Sequence, residues 1–398
     1  MSILEEAKNI SDILKEHRRY IHQNAEQHLE LPKTAEYVMN TLRELGYEPE
    51  RVGSSGVIAM AGGKKPGKVF LMRADMDALP IQEESGEPFS CQTGSMHACG
   101  HDFHTAMLLG AAQLLKAHED EINGTVKLMF QPAEETLAGA KMMIDAGVLE
   151  NPKVDAAMMI HVTGSMPLPT GTIMIPDAES GAAAADWFKI SVQGKGGHGA
   201  MPDTGVDPLN VLSHIHLAIQ AINSREVSPA DVAALTVGQM HGGATSNVIP
   251  DTAMMSGTLR TLDNNVREFV KRRIVEVSES IAATFRAKAT VEYERGCPCF
   301  EINEPLLKEL SGYAKEMVGE SGVWDMAEAK VKNKNMGSED FSWVSVEVPA
   351  ACFSVSTGSP EEGYQYPLHH PKAVFNESAL SIGAALYTDL ALKWLDNN

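Results

Sequence analysis

The chain is short of positive charge. Its 398 residues carry 33 lysines and arginines against 53 aspartates and glutamates, a formal net charge of −20. Nucleic acid and anionic membranes would be repelled by that balance, which excludes them as partners. Long apolar runs are also lacking. The best candidate, 156–162, contains His161 and is far shorter than the roughly 20 residues of a membrane span. The opening M-S-I-L-E-E-A-K has neither the basic start nor the apolar core of a signal peptide. Cysteine is scarce, with five residues at scattered positions, in a chain too large to need a disulfide framework. Cys297 and Cys299 form C-P-C, too tight for the C-x-x-C spacing of redox or zinc motifs. Together these absences point to a reducing, cytoplasmic setting.

Hydrophobic residues make up 43% and charged residues 22%, as in soluble globular proteins. The length exceeds one ordinary core, so two domains are expected. Ile3, Leu4, Ala7, Ile10, Ile13, Leu14 and His17 fall at helical spacing and predict one amphipathic helix over 3–22. A second helix is expected from Pro32 to Leu45, with proline in its first turn. Val57–Met60 and Val69–Met72 read as short buried strands. The second runs into R-A-D-M-D-A-L-P, which puts Asp75 and Asp77 at a strand end. Turn chemistry would explain such a pair, and so would a site at the carboxyl ends of an open α/β sheet.

The densest chemistry lies in M-H-A-C-G-H-D-F-H-T, where Cys99 and His101 flank Gly100 among His97, Asp102 and His104. Thiolate, imidazole and carboxylate are ligands for borderline-soft divalent metals. The bland reading is a polar loop capping the helix 102–117, with Asp102 as N-cap. Downstream, the strand 126–130 ends in Q-P-A-E-E-T, so Glu134 and Glu135 sit at a strand-to-helix junction with a helix expected over 136–146. Neighbouring side chains point in different directions, so one carboxylate can bind a metal while the other faces the space beside it. The strand 154–160 ends on His161. Strand, ionisable donor, helix, repeated in this way, is the pattern of an α/β sheet with one site at its strand ends.

After Pro176 the pattern changes. Strands are expected at 187–192, 233–240, 251–260 and 290–294, with helices at 208–222 and 266–285. That strand–helix–strand–strand–helix–strand succession is the pattern of a ferredoxin-like α+β domain, inserted because the α/β signal then resumes. Gly194, Gly196 and Gly199 formally match the dinucleotide fingerprint G-x-G-x-x-G. Met201-Pro202-Asp203 intervene before any helix, which argues against a nicotinamide-dependent oxidoreductase. The last stretch holds a helix at 304–318, a polar turn N-M-G-S-E-D-F carrying Glu339 and Asp340, a strand at 350–355, L-H-H-P-K at 368–372 and a closing helix at 377–395.

Taken in order, M-H-A-C-G-H-D-x-H-T, Q-P-A-E-E, I-H-V, G-K-G-G-H, S-N-V-I-P-D, G-T-L-R-T, G-S-E-D-F and L-H-x-P resemble the dinuclear-metal amidohydrolases. That group comprises aminoacylases, hippurate hydrolases and plant auxin-conjugate hydrolases, and is distantly similar to glutamate carboxypeptidase. The resemblance implies a mixed-sheet, zinc-peptidase-like α/β catalytic domain over 1–185 and 302–398. It also implies an inserted ferredoxin-like lid or dimerisation domain over 186–301. It makes Cys99, His101, Glu135, His161 and His369 metal ligands, with His370 the less favoured choice in L-H-H-P. Glu134 becomes the catalytic base, His198 the donor to the oxyanion, Asp77 the carboxylate that orients a ligand, and Asn247 and Arg260 the contacts to a substrate carboxylate. Five ligands serve two ions if one bridges, for which Cys99 is the candidate. Thiolate and imidazoles favour zinc by softness, while relatives with this set also use manganese, nickel or cobalt. The implied reaction cleaves an N-acyl or N-aroyl amino acid to a carboxylic acid and a free amino acid, with N-acetyl-diaminopimelate deacetylation or dipeptide carboxypeptidase activity as alternatives. A homodimer or homotetramer through the inserted domain is expected. Two departures bear on acyl preference: Asp203 stands where the family usually has histidine, and the loop after His161 is about two residues longer than usual.

Overall fold

The computed structural model describes residues 1–179, 181–330 and 336–398. These divide into two units, one of 1–180, 301–334 and 343–398, the other of 181–300 and 335–342. The first unit opens with helices α1 (Ile3–Asn9), α2 (Ser11–Gln23) and α3 (Pro32–Glu44). Strands β1 (Glu50–Val52), β2 (Gly56–Gly62) and β3 (Val69–Asp75) follow, then helix α4 (His101–Ala117). Strand β4 (Thr125–Gln131), helix α5 (Gly139–Asp145), and strands β5 (Ala156–Thr163) and β6 (Ile173–Ile175) complete this first pass.

The second unit contains β7 (Ala184–Gln193), β8 (Gly197–His198), α6 (Pro208–Ala221), β9 (Ala233–Gly242), β10 (Val248–Ile249), β11 (Thr252–Thr261), α7 (Asn264–Thr284) and β12 (Lys288–Cys297). The chain then continues through α8 (Glu304–Val318), β13 (Val323–Asp325), the one-turn α9 (Ser342–Ser345), β14 (Ala350–Ser356) and α10 (Ala379–Asn397). No helix among the described residues is long and apolar enough to cross a membrane.

An eight-stranded mixed sheet, order β1-β2-β4-β3-β5-β14-β6-β13, forms the first unit. Its centre is parallel, with β4, β3, β5 and β14 running the same way. Strand β3 is buried along its whole length and β4 nearly so, which is why these strands read as continuous apolar runs rather than alternating ones. Helices cover the sheet through Leu14, Phe103, Leu108, Leu386 and Trp394, which pack against Phe70, Met72 and Leu128. The parallel centre brings the carboxyl ends of β3, β4 and β5 to one edge. That edge is where the ionisable residues were expected.

In the second unit, β12-β7-β11-β9 form a four-stranded antiparallel sheet. Phe188, Ile190 and Val192, at alternate positions of β7, share a core with Ile215 and Ile219 of α6 and Val270 and Ile274 of α7. The succession strand–helix–strand–strand–helix–strand is therefore present, interrupted only by the two-residue strands β8 and β10, which pair with each other.

Several local expectations are corrected. The helix expected over 3–22 is two helices, parted at Ile10 (φ −99°, ψ 14°). Of its expected inward stripe, Ala7 and Leu14 are fully buried and Ile3, Leu4, Ile10 and His17 partly so, but Ile13 is exposed, and Arg18 and His22 join the buried face. The helix expected from Thr136 begins only at Gly139, because the amides of Glu134 and Glu135 are taken by the Asp77 carboxylate at 2.9 and 3.1 Å. The strand expected to stop before His161 runs on to Thr163, paired with β14 throughout. The short strands β1, β6 and β13 carried no periodicity to read. Asn335 of the expected polar turn lies outside the described residues. The glycine-rich 194–199 segment has a packing explanation instead of a phosphate-binding one: a Cβ on Gly194 would lie 2.3 Å from the Val206 carbonyl oxygen.

Candidate metal centre

The cluster begins with a turn that only glycine allows. Gly100 precedes α4 with φ +86°, and a Cβ there would meet Val162 at 2.3 Å. Cys99 and His101 flank this turn. His101 gives its Nδ1 proton to the Asp77 backbone carbonyl at 2.8 Å, since a carbonyl can only accept. His161 does the same with the Val162 carbonyl at 2.6 Å. Each imidazole thereby turns Nε2 inward. His161 Nε2 lies 3.6 Å from Cys99 Sγ. His369 joins from far along the chain, with φ +65° and its amide on the Ala98 carbonyl at 2.9 Å. Its Nε2 is 3.2 Å from Cys99 Sγ and 3.6 Å from Glu135 Oε1.

Two donor groups contain Cys99, namely Cys99–His101–His161 and Cys99–Glu135–His369, and His101–Glu134–Glu135 and Asp75–His101–His104 adjoin them through His101. Metal bonds of about 2.0–2.3 Å in a tetrahedron place donors roughly 3.3–3.8 Å apart, close to the separations found here. Two atoms make the fit specific. His101 Nε2 and Glu135 Oε1 are buried without any hydrogen-bond partner, and buried polar atoms are seldom left so. A cation between these donors would satisfy both. His370, the alternative in L-H-H-P, stacks on Tyr366 with ring centroids 4.4 Å apart.

The electrostatics agree. Burial pushes the Cys99 thiol upward, with Glu135 and Glu134 adding to the effect. Glu135 rises to about 7, first through burial, then through Asp77 and Asp75, against a partial offset from His101. His101 is held well above the ordinary histidine range; burial opposes its charge, but Asp75, Cys99 and Asp77 outweigh it. Among these donors, protons stand where a cation would stand. A coordinated metal deprotonates a thiol outright and inverts that logic.

Glu134 is 7% exposed, with Oε2 at 3.9 Å from His101 Nε2. It reaches the edge of the donor cluster rather than the Cys99 groups. Asp77 acts twice: its carbonyl orients His101, while its carboxylate clamps the turn that presents Glu134 and Glu135. The remaining expected site residues belong to the second unit. His198 is exposed on β8, and its Nδ1 accepts from the Ala200 amide at 3.0 Å. Its Nε2 therefore carries the proton and can donate. Asn247 adjoins it, its carbonyl accepting from Gly199 N–H at 2.9 Å. Arg260 lies 5.3 Å over the Trp187 ring and donates to the Met336 carbonyl at 3.1 Å and to Ser338 Oγ.

Sequence reasoning missed a second buried cluster beside the first. Asp102 is no N-cap; its Oδ2 accepts from Arg18 Nε at 2.7 Å and from His22 Nδ1 at 2.8 Å. His22 Nε2 donates in turn to Glu83 at 3.0 Å. The signal was available: Arg18 and His22, four apart on α2, share one helix face. His97 is fully buried with neither ring nitrogen hydrogen-bonded, and burial drops it to about 4, which keeps it neutral.

Parallel strand ends bearing a shared thiol, imidazoles and paired glutamates define a metal-dependent hydrolase. Residues 71–393 match the family model of peptidase family M20/M25/M40, and the chain belongs to that family. It is similar to the N-acetyl-L-cysteine deacetylase of Bacillus subtilis, 37% identical over 96% of this chain and 88% of the relative. It is equally similar to thermostable carboxypeptidase 2 of Saccharolobus solfataricus, 37% identical over 99% of both chains. Among solved structures it resembles the YXEP protein of Bacillus subtilis, a dinuclear metal-binding peptidase of the M20 family. The TM-score is 0.78, at 31% identity over 98% of this chain and 100% of that one. The protein is thus a metal-dependent amidohydrolase that uses two divalent ions, built on an α/β fold with a large mixed sheet.

Proposed function

We propose that the protein hydrolyses the amide bond of N-acyl or N-aroyl amino acids, releasing a carboxylic acid and a free amino acid. The observation that carries the reading is the donor set around Cys99 with Glu134 at its edge. Cys99, His101, Glu135, His161 and His369 would hold the two ions, zinc or manganese, with nickel and cobalt as alternatives for the same donors. When bound, such ions lower the pKa of water and polarise the scissile carbonyl. Glu134 takes the proton of the attacking water and returns it to the amide nitrogen, so that a neutral amine leaves. His198, with its donor Nε2, serves the developing oxyanion. Asn247 and Arg260 take the substrate carboxylate, and the second unit is assigned as a lid and as the contact of a homodimer or homotetramer.

A dipeptide carboxypeptidase is the second reading, favoured by the carboxypeptidase relative at the same identity. Both reactions release an amino acid with a free carboxylate and differ in the acyl side. A panel of N-acetyl, N-benzoyl and N-acetyl-diaminopimelate substrates and dipeptides, assayed with added metal and again after exhaustive chelation, decides between them. Fastest turnover is expected on an N-acyl amino acid, with activity lost on chelation and restored by zinc or manganese. Undiminished turnover after full metal removal would sink the mechanism.

A further inference from the structure

Next to the donor cluster, the parallel sheet comes apart in an ordered way. The β3–β5 pairing ends at Arg73 opposite Met159, although β5 continues to Thr163. Beyond that point the strands are held by side chains. The Tyr387 hydroxyl accepts from Ile160 N–H at 3.0 Å and donates to the Arg73 carbonyl at 2.6 Å. Two residues on, the Val162 amide donates to His104 Nε2 at 2.9 Å.

That last bond fixes a tautomer. An amide can only donate, so His104 Nε2 is unprotonated and Nδ1 carries the proton. Nδ1 then donates to Asp75 Oδ1 at 2.5 Å. The other carboxylate oxygen accepts from Arg73 Nη1 at 2.9 Å and stands 3.5 Å from His101 Nε2. Thr105 Oγ1 secures the Asp75 carbonyl at 2.8 Å. Asp75, His104 and Thr105 are all completely buried. One continuous chain of hydrogen bonds therefore links the end of β3, the first turn of α4 and the amide that follows His161.

We propose that His104 and Asp75 are positioning residues for the metal centre: they hold the His161 segment of β5 at a set spacing from the His101 turn of α4. The inference rests on the metal-hydrolase reading and adds two residues to it. Neither needs to touch an ion. Groups that orient metal ligands from behind typically contribute 10–100-fold in metal affinity, and these two orient the segments that carry them. The backbone ladder between β3 and β5 has already ended, so beyond Arg73 this chain of side-chain bonds acts together with the Tyr387 bridge and the β5–β14 pairing in setting that distance.

The test uses the full chain, with zinc stoichiometry and competition affinity measured alongside the visible spectrum of the cobalt-loaded protein and the thermal unfolding of the metal-free protein. His104→Leu removes both hydrogen bonds, while His104→Gln keeps one acceptor and one donor. The expected result is a roughly 10–100-fold loss of zinc affinity and an altered cobalt spectrum in His104→Leu, with both largely recovered in His104→Gln. Affinity within twofold of wild type in His104→Leu overturns the proposal. So does equal loss in both variants that tracks lowered stability of the metal-free protein, which is what a packing role alone would give. Should His104→Leu not fold, His104→Asn replaces it, since it reaches Asp75 but not Val162; equal affinity in Asn and Gln variants overturns the proposal, and weaker binding in Asn supports it. A wild-type protein that binds neither zinc nor manganese defeats the underlying hydrolase reading instead, so the two failures are distinct.

Discussion

His101 and Asp102 are neighbours in the first turn of α4, yet they enter two buried clusters of opposite character. His101 joins thiol, imidazole and carboxylate donors among which Cys99, Glu135 and His101 itself are pushed toward their protonated forms while burial lowers His369, and which leave His101 Nε2 and Glu135 Oε1 without hydrogen-bond partners. Asp102 joins a group that brings its own cations. Arg18 and His22 face Asp102 and Glu83, His22 is raised to about 9 because Asp102 and Glu83 outweigh its burial, and Asp102 is held well below the usual carboxylate range. Glu377 also accepts from Arg18 at 3.3 Å and pairs with Arg19, so three cations of the chain face three carboxylates. Burial and residue type are similar in both places. What separates them is whether the positive charge is covalently part of the chain or has to be recruited. The first arrangement makes a scaffold, and the second makes a site.

Three changes would break or sharpen that contrast, the largest effect first. Glu134→Gln removes a proton carrier at the edge of the recruiting cluster but no member of the Cys99 groups. Turnover should fall by roughly 10²–10⁴-fold while metal content by elemental analysis stays at the wild-type level. Loss of metal would instead exchange the roles of the two glutamates. Next, Arg18→Met leaves Asp102 buried beside too little positive charge, a change that costs about 3–5 kcal/mol. Denaturant unfolding should show that loss equally with and without added zinc, because this cluster recruits nothing. A loss that zinc abolishes would merge the two clusters into one.

The third is a pH effect on the self-contained cluster. His22 has a folded-state value of about 9 against an ordinary 6.5. A raised value means that its stabilisation is complete below about 6.5 and disappears as pH rises through about 9. The contribution is on the order of 3 kcal/mol at most. Unfolding free energy of the metal-free protein, followed from pH 6 to pH 10, should decline over that window, and His22→Gln should flatten the decline. An unchanged slope in the variant would remove His22 from the charge balance.

Much of the site was legible because ionisable residues at the ends of apolar runs are a local pattern. Asp77, Glu134, Glu135 and His161 could be picked out one strand end at a time, and Cys99 and His101 from the dense donor cluster around Gly100. The βαββαβ succession of the second unit was equally readable, since helix and strand periodicities are properties of short segments. The roles of Arg18, His22, Asp75 and His104 were not. A charged residue on a helix reads as solvated until the element packed against it is known, and Arg18 meets Asp102 only because α2 lies on α4.

By itself the sequence determined which donors exist, in what order, and which turns could present them: Gly100 permits the sharp approach of Cys99 and His101. The tertiary structure decided which donors meet. Cys99 and His369 are brought within 3.2 Å by the packing of distant segments, and no local signal encodes that distance. It also decided their protonation, because burial and charged neighbours, rather than residue type, raise Glu135 to about 7. Proximity and dielectric environment are properties of the folded chain, and the candidate metal centre depends on both.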